Sequence, residues 1–220
     1  MNENTLANHN DYVLNESGFG SHNAIVEWVR PGSRILDVGC ASGYLMTLLH
    51  DTKGCDPSGI EPHPRYAAEA RATGFPITES AGAEGLRLVA DDRGFDHVVY
   101  ADVLEHMGDP LPVLRATREV LAPGGTVLIS LPNIVSLKAR LKLLRGVWEY
   151  EDTGIFDRTH LRFFTVKSAH AFVKEAGFEV ARAVYVGPLT YRGGRRWRHI
   201  NRLRPGLLAN QIVLEARPTA

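Results

Sequence analysis

The sequence lacks the features that mark disulfide-stabilised, membrane-spanning and metal-binding proteins. Its two cysteines, Cys40 and Cys55, are too few for a disulfide framework, and we interpret them as reduced thiols of a cytoplasmic protein. They form no Cys-x-x-Cys pair and no paired histidines accompany them, so no metal site is predicted. No apolar run reaches the about 18 residues that a membrane span needs. The polar stretch 1–13 has neither a basic flank nor an apolar core, so no secretory signal is predicted.

The sequence also has no excess of charge of one sign. Lysine and arginine total 25, as do aspartate and glutamate. This balance removes any general attraction to nucleic acid or to an anionic membrane. Residues 192–204 are a local exception, because they contain several arginines and no acidic residue. Arginine binds phosphate and carboxylate groups well, so this segment predicts an anionic small-molecule substrate. The alternative is a solvated basic loop.

Apolar runs and helical patterns alternate along the chain. Strands are predicted at 33–38, 55–61, 75–80, 95–101, 126–132, 178–186 and 209–218. Helices are predicted at 43–51, 64–73, 110–121, 133–145 and 166–176. This alternation predicts βαβ units and a parallel sheet covered on both faces, in a single domain over 1–220. Ligands of such sheets lie beyond the carboxyl ends of the strands.

Candidate binding residues follow the first two predicted strands. The first strand ends at Asp37 and leads into the turn Gly39-Cys40-Ala41-Ser42-Gly43. Its glycine spacing fits neither a dinucleotide fingerprint nor a P-loop, so a phosphate cradle is disfavoured. Glu61 ends the second strand, where a carboxylate can accept both hydroxyls of a ribose. The alternatives are a plain strand–helix turn and a solvated acid.

Three segments together resemble the class I S-adenosylmethionine-dependent methyltransferases. They are ILDVGCASGYL (35–45), GIEPHPRYAAEAR (59–71) and the long run from FDHVVYADVLEHM to LISLPN (95–133). The likeness is greatest to the small-molecule branch that includes the ubiquinone-pathway enzymes, and GIFDRTHLRFFT (154–165) is similar to a segment of one subgroup. The resemblance covers about residues 30–180. It implies a Rossmann-like, seven-stranded, doubly wound α/β sheet that is mostly parallel with an antiparallel last strand.

The resemblance implies S-adenosylmethionine as the cofactor and S-adenosylhomocysteine as its product. Asp37 and the glycine turn would hold the amino-acid end, Glu61 the ribose, and the segment 82–84 the adenine. The implied cofactor residues are Asp37, Gly39, Cys40, Ala41, Ser42, Gly43, Tyr44, Leu45, Glu61, Pro62, Gly82, Ala83, Glu84, Ala101, Asp102 and His106.

Two positions depart from the family pattern. Ala41 stands where the family usually has a glycine, and Gly82 where it often has an acid that binds adenine. We expect a negative φ at Ala41, since alanine avoids the left-handed region. A positive φ, or a failure to bind the cofactor, would overturn the cofactor interpretation.

On the acceptor side, methyl transfer needs positioning and, for a hydroxyl acceptor, a general base. The candidate bases are His160 and His106, although a lone histidine often serves only the fold. Asp157 is expected to orient His160 or to pair with Arg158 or Arg162. The lid is predicted at 146–165, with 1–22 as an N-terminal cap. The candidate substrate residues are Tyr12, Asn133, Tyr150, Phe156, Arg158, His160, Arg195 and Arg196.

The predicted activity is methyl transfer to a small-molecule oxygen or nitrogen, and a homodimer is an open option. Nucleic acid is a disfavoured substrate, because "ADVLEHM" (101–107) replaces the Asn/Asp-Pro-Pro-Tyr/Phe motif and neither cysteine follows a proline. Protein methylation has no better support. A non-catalytic cofactor-binding partner subunit is the alternative of a different class. The helix at 133–145 carries basic residues and an apolar stripe, which we expect to pack on the sheet rather than on a membrane.

Overall fold

The computed structural model describes residues 19–188, 190 and 198–219. The strands are β1 (Arg34–Val38), β2 (Asp56–Ile60), β3 (Ile77–Thr78), β4 (Phe95–Ala101), β5 (Leu121–Pro132), β6 (Phe178–Val186) and β7 (Gln211–Pro218). The helices are α1 (Ser21–Trp28), α2 (Tyr44–Lys53), α3 (Pro64–Arg71), α4 (Gly82–Val89), α5 (Leu111–Ala116), α6 (Leu137–Leu144), α7 (Val166–Glu175), α8 (Arg198–Leu203) and α9 (Pro205–Leu208). Short 3₁₀ turns cover Leu104–His106 and Thr117–Glu119.

The strands form one seven-stranded sheet in the order β3-β2-β1-β4-β5-β7-β6. The first five are parallel, and β7 runs antiparallel to both of its neighbours, β5 and β6. The predicted fold class is therefore confirmed. Strand order reverses between β1 and β4, which places a ligand-binding crevice at their carboxyl ends.

Side chains alternate between two apolar layers along the central strands. Leu36 and Val38 of β1 pack in the larger core with α4, α5 and α7, whereas Ile35 packs on the opposite face with α1 and α2. The same alternation places Val98 and Val99 of β4 in different layers. This period of two is the physical reason that short apolar runs became central strands.

Two predicted helices differ from the structure at their ends. The helix predicted at 110–121 ends as α5 at Ala116 and a 3₁₀ turn, because β5 already begins at Leu121 beside Phe95. The helix predicted at 133–145 begins at Leu137, where the Ser136 hydroxyl caps it by accepting from the amide of Ala139. Within the described ranges, no helix combines the length and apolarity that crossing a membrane requires.

Candidate functional site

The carboxyl ends of β1, β2 and β4 open into a cavity of about 610 Å³. The loops after β1, β2, β3 and β4 all contribute to its wall, as expected for a ligand site beyond the carboxyl ends of parallel strands. The predicted cofactor residues that line it are Asp37, Gly39, Cys40, Ala41, Ser42, Tyr44, Leu45, Glu61, Pro62, Gly82, Ala101, Asp102 and His106. These residues come from four separate segments of the chain, around 37–45, 61–62, 82 and 101–106.

Three predicted cofactor residues do not line the cavity. Gly43 instead caps α2 in a left-handed conformation (φ +84°), and a Cβ there would lie 3.2 Å from the Cε atom of Met46. Ala83 and Glu84 lie within α4, and Glu84 is exposed to solvent. Of the segment 82–84, only Gly82 lines the cavity, together with Ser80 and Ala81 just before it, and the adenine contact of this segment stays a prediction.

The glycine turn after β1 is held tightly against the end of β2. The amide of Gly39 donates to the Ile60 carbonyl at 2.7 Å, and the amide of Cys40 donates to the same oxygen at 3.2 Å. Gly39 has a positive φ of +74°, and a Cβ at this position would lie 2.8 Å from Cγ2 of Val103. A glycine is required here both by the backbone conformation and by the approach of Val103.

Ala41 does not have the predicted negative φ. Its φ is +48°, in the left-handed region, so this prediction was wrong. The requirement of a negative φ for cofactor binding was too strict, because the left-handed conformation costs a non-glycine residue only about 1–2 kcal/mol. In this conformation the amide of Ala41 donates to Oε2 of Glu61 at 2.9 Å. A charge-assisted hydrogen bond contributes an amount of similar size, which offsets the strain.

Glu61 is fixed by two backbone amides. Its Oε2 accepts from Ala41, and its Oε1 accepts from the amide of His63 at 2.8 Å. The side chain is buried yet lines the cavity. A carboxylate oxygen has two lone pairs, so each oxygen keeps acceptor capacity after its backbone bond. The arrangement presents two oriented acceptors to a ligand.

Asp37 is buried at the end of β1. Burial, and secondarily the negative charge of Glu61, raise its pKa from 3.8 to about 7. Two neighbouring carboxylates in a buried wall favour a cationic ligand. Burial also raises the pKa of the Cys40 thiol, with Asp37 and Glu61 adding to the effect, so Cys40 is an inert wall residue and not a nucleophile.

Asp102 follows β4 and is held by residues that the sequence did not single out. Its Oδ1 accepts from Ser130 Oγ and from Gln211 Nε2, each at 2.7 Å. Its backbone φ is +57°. A strained backbone and two bonds to one oxygen give this carboxylate a fixed position in the cavity wall. Ser130 lies on β5 and Gln211 on β7, so only the folded sheet brings them to Asp102.

The two candidate histidines lie together, but only one lines the cavity. The ring centroids of His106 and His160 are 4.8 Å apart in an edge-on arrangement, and His106 alone contributes to the cavity wall. His106 Nδ1 lies 3.0 Å from Oγ1 of Thr159, which donates to Oδ1 of Asp157 at 2.6 Å. Burial and the neighbouring His160 lower the pKa of His106.

Asp157 and the two arginines differ from their predicted pairings. Asp157 reaches His106 through Thr159 instead of orienting His160. Arg158 pairs with Asp152 at 2.6 Å, and Arg162 donates through Nε to the carbonyl of Gly108 at 2.8 Å. Thr159 is the residue of the predicted lid that reaches the cavity wall.

The other predicted substrate residues within the described ranges do not line this cavity. Asn133 is fully buried, and its Nδ2 donates to the Ala209 carbonyl at 2.8 Å, so it joins β5 to the segment before β7. Phe156 is buried against Trp148, and Tyr150 is exposed. The predictions for Tyr12, Arg195 and Arg196 concern positions outside the described residues.

Several residues of the cavity wall were missed by the sequence interpretation. His63 and Tyr66 follow Glu61 in the quoted segment 59–71, and Thr159 precedes His160, so proximity to a motif was a usable signal. His22 of α1 also lines the cavity. His22 is the last residue of the predicted N-terminal cap 1–22, although it was not singled out within that segment.

The sheet order and the strand-end cavity are the architecture of S-adenosylmethionine-dependent methyltransferases of known structure. A methyltransferase from Thermotoga maritima superposes with a TM-score of 0.67 at 18% identity, covering 94% of this chain and 92% of its own. The [4+2]-cyclase SpnF has the same fold, with a TM-score of 0.61 at 18% identity over 90% of this chain and 80% of its own. These likenesses define the fold, and the cyclase shows that the fold serves more than one reaction.

The chain belongs to the MetW family. The family profile, described as "Methionine biosynthesis protein MetW", matches residues 20–214. A ubiquinone biosynthesis O-methyltransferase from Cereibacter sphaeroides (strain ATCC 17025 / ATH 2.4.3) is 30% identical over 154 residues, which are 67% of this chain and 61% of that protein. Its counterpart from Xanthomonas campestris pv. campestris (strain B100) is 36% identical over 110 residues, 47% of this chain and 44% of that protein. The chain thus spans about three fifths or less of these relatives, and the predicted relationship to methyltransferases is confirmed.

Proposed function

We propose that this chain binds S-adenosylmethionine in the strand-end cavity and transfers its methyl group to a small-molecule oxygen or nitrogen acceptor. The observation that carries the proposal is the double anchoring of Glu61 at the end of β2. Two backbone amides orient its carboxylate, and the remaining lone pairs suit the two hydroxyls of a ribose.

The rest of the cavity wall fits the same cofactor. Asp37 provides a second buried carboxylate for the ammonium group of the amino-acid end. An ammonium beside it would favour the ionised form and lower its pKa again. Ser80, Ala81 and Gly82 offer small side chains and backbone groups for a planar adenine. The volume of about 610 Å³ is within the range of ligand cavities.

When bound, the cofactor supplies an electrophilic methyl group, and the protein contributes orientation and exclusion of water. The fixed Asp102 and the half-buried His106 lie in the part of the wall formed after β4. This segment is where we place the acceptor. The predicted anionic character of the acceptor depends on the arginine segment 192–204, and the predicted homodimer also stays a prediction.

The names of the relatives support a biosynthetic acceptor. The family description refers to methionine biosynthesis, and the two curated relatives are named for ubiquinone biosynthesis. Both names concern small molecules, which favours a metabolite over nucleic acid or protein as the acceptor.

The experiment is transfer of label from methyl-labelled cofactor into fractionated small molecules, protein and nucleic acid from a cell extract. We expect label in the small-molecule fraction, and loss of transfer in Glu61→Gln. Glu69→Gln, on the exposed part of α3, is the matched control and should transfer normally. Cofactor binding with no transfer to any fraction would favour the partner-subunit alternative, and label in protein or nucleic acid would contradict the small-molecule proposal.

A further inference from the structure

Glu105 is a buried carboxylate with no assigned task. It lies in the 3₁₀ turn Leu104–His106 and is 1% exposed. Within the part of the chain that the structure describes, neither of its carboxylate oxygens has a hydrogen-bond partner. A buried carboxyl group without a hydrogen-bond partner has to be neutralised, either by a proton, as the pKa of Glu105 raised by burial indicates, or by a bound cation.

The side chains beside Glu105 are two histidines. One ligand atom from each of Glu105, His106 and His160 lies within 4.8 Å of the others. Ions in protein sites are bound at about 2.0–2.2 Å by nitrogen and oxygen, which places their ligand atoms about 3–4 Å apart. The spacing in the free chain reaches beyond these distances, so the ligand atoms would have to move closer together when an ion binds.

The hydrogen bonds of both imidazole rings are made at Nδ1. His106 Nδ1 lies 3.0 Å from Thr159 Oγ1, and His160 Nδ1 lies 3.3 Å from the carbonyl of Ile155. The Ile155 carbonyl can only accept, and the Thr159 hydroxyl donates to Asp157, so both Nδ1 atoms carry the proton. With the proton on Nδ1, the neutral form of each ring has its lone pair on Nε2, where another partner can bind. Metal-binding histidines are commonly oriented in this way.

The backbone holds the two segments together. The amides of Leu161 and Arg162 both donate to the carbonyl of Glu105, at 2.8 and 2.9 Å. His160 is thereby fixed next to the turn that carries Glu105 and His106. Glu105 and His106 are adjacent in the sequence, whereas His160 is more than 50 residues away, so no Cys-x-x-Cys or paired-histidine spacing indicates the cluster.

We propose that Glu105, His106 and His160 form a binding site for a divalent transition-metal ion, with Zn²⁺ as the reference ion. Two imidazoles and one carboxylate are a ligand set that suits Zn²⁺ and leaves coordination positions open. This replaces the sequence-based prediction of no metal and gives both histidines a role other than general base. Because His106 also lines the cavity, the ion would lie beside the acceptor region. Metal binding does not depend on the proposed methyl transfer.

The test is a calorimetric Zn²⁺ titration of the full chain after chelator treatment, with metal content measured after dialysis. We expect one ion per native chain. Glu105→Gln and His160→Ala should each weaken binding by more than about 100-fold, since loss of a ligand exceeds loss of an outer partner. His170→Ala, a half-buried histidine on α7 that bonds Tyr185, is the control and should bind like the native chain.

A second measurement separates lost binding from lost folding. Zn²⁺ should raise the Tm of the native chain and of His170→Ala, and leave the Tm of Glu105→Gln and His160→Ala unchanged. If Glu105→Gln does not fold, His160→Ala decides, because its side chain is only half-buried and lies outside the helices and strands. No saturable Zn²⁺ binding by the native chain, or undiminished binding by the folded variants, would overturn the proposal.

Discussion

Replacing Asp37 by asparagine should stabilise the free protein and weaken cofactor binding. The carboxylate is 3% exposed, and its pKa is raised from 3.8 to about 7. At 1.36 kcal/mol per pH unit, this rise corresponds to about 4 kcal/mol of destabilisation once the native carboxyl is ionised. Asparagine resembles the protonated form and removes this cost.

The effect should depend on pH with a definite sign. Between about pH 4 and pH 7 the native chain holds a proton on Asp37 that the unfolded chain has released, so stability falls as pH rises through this interval. The stabilisation by Asp37→Asn should therefore be about 4 kcal/mol at pH 8 and about 2 kcal/mol at pH 5. At pH 8 this corresponds to a Tm increase of roughly 8–16 °C for a chain of this size.

The assay is thermal and urea unfolding at both pH values, paired with titration of S-adenosylhomocysteine. The loss of one charge-assisted bond to the ligand ammonium should weaken its Kd roughly 10- to 100-fold. Asp56→Asn, at the exposed start of β2, is the control and should change stability by less than about 0.5 kcal/mol. An unchanged Tm for Asp37→Asn at pH 8, or the same gain at both pH values, would refute the reasoning about the buried carboxylate.

Three further predictions concern Glu61, the glycine turn and the ionisation of Asp37. In Glu61→Gln a side-chain NH₂ replaces one of the two oxygens that accept from backbone amides, so the free energy of unfolding should fall by about 1–3 kcal/mol. Undiminished stability in unfolding curves would contradict the anchoring of Glu61 by these amides. Ala41→Gly removes the strain of a left-handed alanine and should raise the free energy of unfolding by up to about 1 kcal/mol. Gly39→Ala should lower it by at least about 1 kcal/mol, because Gly39 has a positive φ and the new Cβ would contact Val103. The reverse order of the two stabilities in the same unfolding assay would contradict the turn geometry. Binding of S-adenosylhomocysteine by the native chain should weaken as pH falls below 7, by roughly 10- to 100-fold in total, and a flat profile would contradict the role of ionised Asp37.

The sheet was largely predictable because its strands are short apolar runs ending at polar residues. Leu36 and Val38 continue an apolar run to the turn, and the run at 95–101 does the same before Asp102. The boundary at Leu121 was not predictable, because helical periodicity continued to a residue that pairs with Phe95 only in the folded sheet. Tertiary pairing overrides local pattern at such boundaries.

The candidate site was predictable where one segment supplies it, and less so where several segments meet. Asp37 and Glu61 could be found because each ends a strand. The bonds of Ser130 and Gln211 to Asp102 could not be, since they depend on the neighbours of β5 in the sheet. The placement of Glu105 beside His160 likewise arises from backbone bonds between distant segments.

The most direct test of the account is calorimetric titration of the native chain and Glu61→Gln with S-adenosylhomocysteine at pH 8. We expect one ligand per native chain and at least tenfold weaker binding by the variant, because losing an oriented charged acceptor costs about 1.5–3 kcal/mol. Absence of saturable binding to the native chain, or equal affinity for the two proteins, would contradict it.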